Sequence, residues 1–140
     1  MTKMKNRVAG WLASAVAVAA GMLAPVTALN AYAEEWTEVS TWADLAAALN
    51  AGSQVKLMQN VSKSADYLTV DTGKTSVLDL NGHTIDRGRE TETSYGFVVY
   101  VHGGDLTIMD SSAQQTGKIT GGFNSSEAGG GGVSIDNGGL

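Results

Sequence analysis

Three segments of the chain line up on their turns: "VDTGKTSVLDLNGHTI", "VHGGDLTIMDSS…GKITGG" and "IDNGGL". Val70, Val101 and Ile135 then correspond, at spacings of 31 and 34 residues. Each is followed by a glycine-containing turn (Gly73; Gly103 and Gly104; Gly138 and Gly139) and then by a second β-rich run. That second run begins near Val77 in the first copy and at Leu106 in the second, and is cut off at Leu140 in the third. A third short run, "GHTI" and then "GKIT", closes both complete copies. Runs rich in β-branched residues and separated by Gly, Asn, Asp and Ser read as short strands. A period of about thirty residues points to stacked units, each unable to bury its apolar face alone. Three strands per unit, joined by turns and not by helices, are what one coil of a parallel β-helix needs, with neighbouring coils about 4.8 Å apart. The expectation is therefore an all-β fold, a parallel β-helix of about 2–3 coils, beginning at residue 55 and running to 140.

Upstream of the strands, "STWADLAAALNAG" reads as one helix. Ser40 or Thr41 can cap its start, Asp44 suits the first turn, and Asn50 to Gly52 supply a stop. Trp42, Leu45, Ala46 and Leu49 fall on one apolar stripe. A stack of coils exposes apolar interior and unpaired backbone groups at its ends, and a helix with an apolar underside blocks one end. Residues 34–54 are thus expected to form an N-terminal segment carrying a capping α-helix. No matching element is visible at the other end, so the C-terminus is expected to be truncated, with an uncapped edge open to association with another chain.

The first residues have the pattern of an export signal. "MTKMKNR" carries Lys3, Lys5 and Arg7, an apolar run follows, and Ala31, Tyr32 and Ala33 give a small-x-small site before Glu34. Cleavage after Ala33 removes residues 1–33 and leaves 34–140, so no membrane span remains. The three basic residues lost leave six against 14 acidic ones, from the chain's nine and 14. An acidic exported chain repels phosphate backbones, which argues against nucleic acid as a partner. The expected location is secreted or extracellular, with cell-wall association.

With these features together, "VLDLNGHTI", the "G-x-L-T-I-x-D" strand, "GKITGG" and the "GGGV" strand entry resemble the bacterial secreted right-handed β-helix proteins of the pectate-lyase-like superfamily. More narrowly, with the "W-x-x-L-x-x-A-L" helix of Trp42, Leu45, Ala48 and Leu49, they resemble the repetitive surface proteins of Gram-positive bacteria. The resemblance covers about residues 36–140. It implies a right-handed coil stack, and it implies little about activity, since such proteins include lyases, hydrolases and adhesins.

Chemistry-bearing residues are sparse. β-Helix enzymes that cut polysaccharides work with clustered carboxylates, Ca²⁺ and a basic residue, or with paired aspartates as acid and base. Asp79 and Asp110 fall near equivalent places in successive units, and Arg87 follows the third strand of the first. These three are candidates for a Ca²⁺ or saccharide site, although no calcium motif supports the ion and no cofactor is expected. The competing reading makes them outward residues that keep a sheet solvated and its edges blunt. Tyr95, Phe97 and Tyr100 cluster, and Tyr95 is the candidate for stacking on a sugar ring. His83 and His102 lack companions at metal-site spacing, and there is no cysteine. "GKT" at Gly73–Thr75 lacks the upstream glycine of a phosphate loop, because Leu68 stands there. Gly129–Gly132 starts a calcium-repeat pattern whose aspartate is replaced by Ser134. With no catalytic set, the expected function is non-enzymatic: an extracellular module, surface stalk or adhesin contacting carbohydrate or a host surface. The alternative is the N-terminal part of a polysaccharide lyase or glycoside hydrolase.

Overall fold

A computed structural model describes residues 35–62, 64–125 and 131–137. The expected signal segment, with Ala31, Ala33 and Glu34 at its cleavage site, lies outside the described residues. The chain runs β1 (Thr37–Val39), α1 (Trp42–Ala51), β2 (Gln54–Leu57), β3 (Val61–Ser62), β4 (Leu68–Asp71) and β5 (Thr75–Asp79). It continues with β6 (Thr84–Asp86), β7 (Val99–His102), β8 (Asp105–Met109), β9 (Lys118–Thr120) and β10 (Val133–Asp136). Every pairing between these strands is parallel. The strands sort into three sheets, ordered β1-β2-β5-β8, β10-β7-β4 and β3-β6-β9.

This corrects the expected fold class. The chain is not an all-β, right-handed parallel β-helix of one continuous coil stack. Its strands lie in three separate short sheets, and α1 contributes Leu45, Ala48 and Leu49 to the same buried core. The sheets stay separate because the ladder is interrupted at each corner. At one such corner Asn81 and Gly82 both have positive φ, of 46° and 77°, a conformation that cannot continue a strand.

The repeat spacing appears directly as register: Val70 pairs with Val101, and Val101 with Ile135. Alternate residues from adjacent strands stack into columns, Leu68–Val99–Val133, Val55–Leu78–Ile108 and Val61–Ile85–Ile119. In each column the residues of β2 to β7 are buried, and those of β8, β9 and β10 are partly exposed. Burying a Leu, Ile or Val side chain contributes about 1.5–3 kcal/mol, so these columns are the main apolar stabilisation of the three sheets.

Helix α1 is built as its sequence indicates. The Thr41 hydroxyl accepts from the Asp44 amide at 3.1 Å and donates to the Asp44 carboxylate at 2.7 Å. Gly52, at φ 82°, closes the C-terminus, its amide donating to the Leu49 carbonyl. The buried Ser76 hydroxyl also donates to the Leu49 carbonyl, at 2.7 Å, fastening the helix end to β5. Leu45, Ala48 and Leu49 form the buried face, and Trp42 and Ala46 pack at its margin.

Candidate binding site

Asp79 and Asp110 end β5 and follow β8, and the structure uses both to build corners. Asp79 is 1% exposed, which corrects the expectation that it faces water. Its Oδ1 accepts from the amides of Asn81 and Ser111, each at 2.9 Å, and its Oδ2 from the Ser111 hydroxyl at 2.6 Å. The Lys56 ammonium lies 3.5 Å away. Burial pushes the Asp79 carboxyl up, but the Ser111 hydroxyl, the two amides and Lys56 outweigh it, so its pKa is lowered overall.

Asp110 mirrors this arrangement. Its Oδ1 accepts from the amides of Gly82, at 2.8 Å, and Ser112, at 3.0 Å, and its Oδ2 from Gly117 at 2.6 Å. Hydrogen bonding from the Ser112 side chain, opposed by burial and helped by the Gly117, Ser112 and Gly82 amides, holds the carboxyl at about 2. Each aspartate thus binds an amide two residues ahead in its own corner and an amide in the neighbouring one. Asn81 adds a third tie, its side-chain amide donating to the Leu57 carbonyl at 2.9 Å. Acceptors committed in this way are ill suited to acid–base work or to calcium. Among the described residues no group of three or more His, Cys, Asp or Glu is placed to hold a metal ion.

Arg87 and Tyr95 are brought together elsewhere, beside the face formed by β4 and β7. Arg87 is 3% exposed. Its Nη1 donates to the carbonyls of Tyr95, at 2.6 Å, and Phe97, and its Nη2 to Ala65 at 2.6 Å. The guanidinium carbon lies 5.5 Å from the centre of the Tyr67 ring, within cation–π range. Burial, reinforced by the positive charge of Arg89, lowers the Arg87 pKa, while the Asp66 carboxylate acts the other way.

From Tyr67 a continuous group of rings extends along the outer face. Tyr67 and Tyr95 stack at 6.1 Å, Phe97 meets Tyr67 edge-on at 5.0 Å, Phe97 and Tyr100 stack at 4.9 Å, and Tyr100 and His102 at 5.4 Å. The Tyr100 hydroxyl donates to Asp136 at 3.2 Å. Burial raises the Tyr100 pKa, and the nearby Asp136 carboxylate adds to that. Phe97 is buried among these rings, whereas Tyr95 is 58% exposed. Tyr67 was not singled out from sequence, and His102 was weighed there only as a metal ligand. The signal was present: with Val70 aligned on Val101, Thr69 pairs with Tyr100 and Asp71 with His102. Alternation therefore puts Tyr67 on the same side as both rings.

Next to the rings lies an open cleft of about 430 Å³, lined by Ser64, Ala65, Arg87, Gly88, Arg89, Glu90 and Thr91. Among the described residues no helix is long and apolar enough to cross a membrane. No protein-family model, curated protein or solved structure matches the chain. The resemblance to secreted surface proteins accordingly rests on the sequence motifs alone.

Proposed function

We propose that this chain is a non-enzymatic, extracellular binding module, part of a surface stalk or adhesin, that contacts glycans through the ring group beside β4 and β7. The observation that carries this reading is the run of five rings, Tyr95, Tyr67, Phe97, Tyr100 and His102, at one outer face, with Tyr95 exposed at its margin. Sugar rings present C–H faces that pack on aromatic faces, while their hydroxyls remain hydrated or bond to polar neighbours. Here the neighbouring polar groups are His102, Asp136 and the tyrosine hydroxyls. A lyase or glycosidase reading would need a free carboxylate pair, and the two aspartates expected to provide one are engaged at corners.

Affinity electrophoresis through gels containing neutral or acidic polysaccharides tests the proposal. At least one polysaccharide should retard the protein. Tyr95→Ala should weaken that retardation roughly two- to twelvefold, as expected for about 0.5–1.5 kcal/mol of aromatic stacking, with the fold retained by far-ultraviolet circular dichroism. Absence of retardation by every polysaccharide, or the appearance of unsaturated lyase products, would refute it.

A further inference from the structure

We propose that the cleft between residues 64–65 and 87–91 is an oxyanion-binding site, with the Arg87 and Arg89 guanidinium groups as its donors. The inference goes beyond the glycan reading and does not depend on it, because it rests on the cleft and not on the rings.

Arg87 is a buried cation whose hydrogen-bond partners are all neutral carbonyls, those of Ala65, Tyr95 and Phe97. Among the described residues, no carboxylate lies within 4.0 Å of either arginine. The Asp66 carboxylate acts on Arg87 only from beyond 4.0 Å, and a buried charge without a close counter-charge is costly, so structures ordinarily supply a partner. Its Nε is also buried and without an acceptor, and the same is true of the Nε of Arg89. Two orphaned donors on two arginines that line one cleft are unusual, because buried polar groups are nearly always paired. An oxyanion in the cleft would bring a close counter-charge and acceptor oxygens to the two arginines that line it, since guanidinium groups match carboxylate, sulfate and phosphate oxygens.

The remaining walls fit that assignment. The Ser64 hydroxyl accepts from the Asp66 amide at 3.1 Å, which leaves its hydrogen free to donate. Thr91 lines the cleft with a second hydroxyl. The backbone supports the arginine-bearing segment on both sides. Ser64 donates its amide to the Arg87 carbonyl at 3.3 Å, and the Arg87 and Arg89 amides donate to Thr120 and Gly121 at 3.1 and 2.8 Å. Glu90 also lines the cleft, is exposed, and opposes an incoming negative charge. The cleft is several times larger than a bare oxyanion, so it accommodates a larger molecule bearing the anionic group as a substituent.

The test reads the donors directly, by nuclear magnetic resonance of the arginine Nε–Hε groups in the full chain. Acetate, sulfate and phosphate are titrated at constant ionic strength against chloride, with methyl sulfate and methyl phosphate alongside. Saturable shifts of both the Arg87 and Arg89 resonances are expected for at least one oxyanion. Tighter binding of the methyl esters identifies a substituent on a larger molecule, and tighter binding of the bare ions identifies a free anion. Arg87→Gln removes the ties to three carbonyls and can unfold the segment, so Arg89→Gln is the decisive variant. It should weaken binding about tenfold, the loss expected for one charge-assisted hydrogen bond, while Glu90→Gln should tighten it. Shifts that are linear and equal to those with chloride for every anion overturn the proposal, as does an affinity unchanged by Arg89→Gln. The polysaccharide test can fail while this one succeeds, and the reverse, so the two readings fall separately.

Discussion

Replacing Asp79 by alanine should reveal a structural carboxylate. The native side chain accepts two amides and one hydroxyl at 2.6–2.9 Å, with Lys56 at 3.5 Å. Hydrogen bonds to a charged group contribute about 1.5–3 kcal/mol each, but these three share one carboxylate and are not additive. Removing Asp79 also removes its own desolvation cost, and Ser111 is exposed enough to regain water. The Asn81 amide, in a half-buried corner held at positive φ, recovers less. A net loss of about 3 kcal/mol follows, within the range for breaking a buried polar network. With a urea slope of about 1.5 kcal/mol per molar, ordinary for a small domain, the unfolding midpoint should fall by about 2 M. Asp79→Asn keeps an oxygen for both amides and should lose only about 1 kcal/mol. Urea titration followed by far-ultraviolet circular dichroism measures both. A loss below about 0.5 kcal/mol for the alanine variant would show that the carboxylate does not hold the corner, and would refute the reasoning.

Gly117→Ala would place a Cβ 2.5 Å from the Leu80 Cβ and 2.7 Å from Asp110 Oδ2. It should cost about 2 kcal/mol by overcrowding, seen as a lower melting temperature, and an unchanged melting temperature would contradict the close approach. Acid should destabilise the fold through Asp79 and Asp110. Both carboxyls are lowered in the folded state, Asp110 to about 2, so their contribution is complete above the ordinary carboxylate range and is lost as pH falls through the folded pKa. Stability should therefore be flat from about pH 5 upward and fall between about pH 4 and 2, and Asp79→Asn should make that fall shallower. A fall of the same steepness in the variant would count against the assignment.

Some of this architecture is legible in sequence, and the limits are physical. Val70, Val101 and Ile135 align because glycine turns punctuate each strand and the β-branched runs share one phase. The second set aligns one residue off: Leu106 pairs with Ser76, not Val77. Ser76 has the composition of a turn, yet it is fully buried because its hydroxyl is satisfied by the helix-end carbonyl of Leu49. Alternation assigns Asp79 to the solvent side, between the buried Leu78 and Leu80, and there it fails. Asp79 is covered by Ser111 and Lys56, which are distant in sequence, and local periodicity carries no information about such contacts. Asn81, a residue type that tolerates positive φ, takes the left-handed corner and ties its side-chain amide to the Leu57 carbonyl. Arg87 and Tyr95 are recognisable as candidates, but the three carbonyls around Arg87 and its orphaned Nε appear only in three dimensions.

The chemistry of the two kinds of charged side chain explains why acids build the corners while arginines line the cleft. Corner amides are donors left over where a strand ends, and an ionised carboxylate, which only accepts, satisfies several at once. A guanidinium only donates, through five N–H groups in a fixed fork. The three carbonyls around Arg87 engage its two terminal nitrogens and leave Nε over. The unsatisfied guanidinium donors therefore collect at one cleft in a chain whose formal net charge is −5. The field of the whole molecule repels an anion while the buried donors attract it at short range, and salt screens only the first effect. Raising sodium chloride from about 20 to 150 mM shortens the screening length from roughly 20 to 8 Å. Once chloride's own competition is subtracted, oxyanion affinity should hold steady or rise. A tenfold fall would be the signature of an exposed basic patch, and would place binding somewhere other than the Arg87–Arg89 cleft.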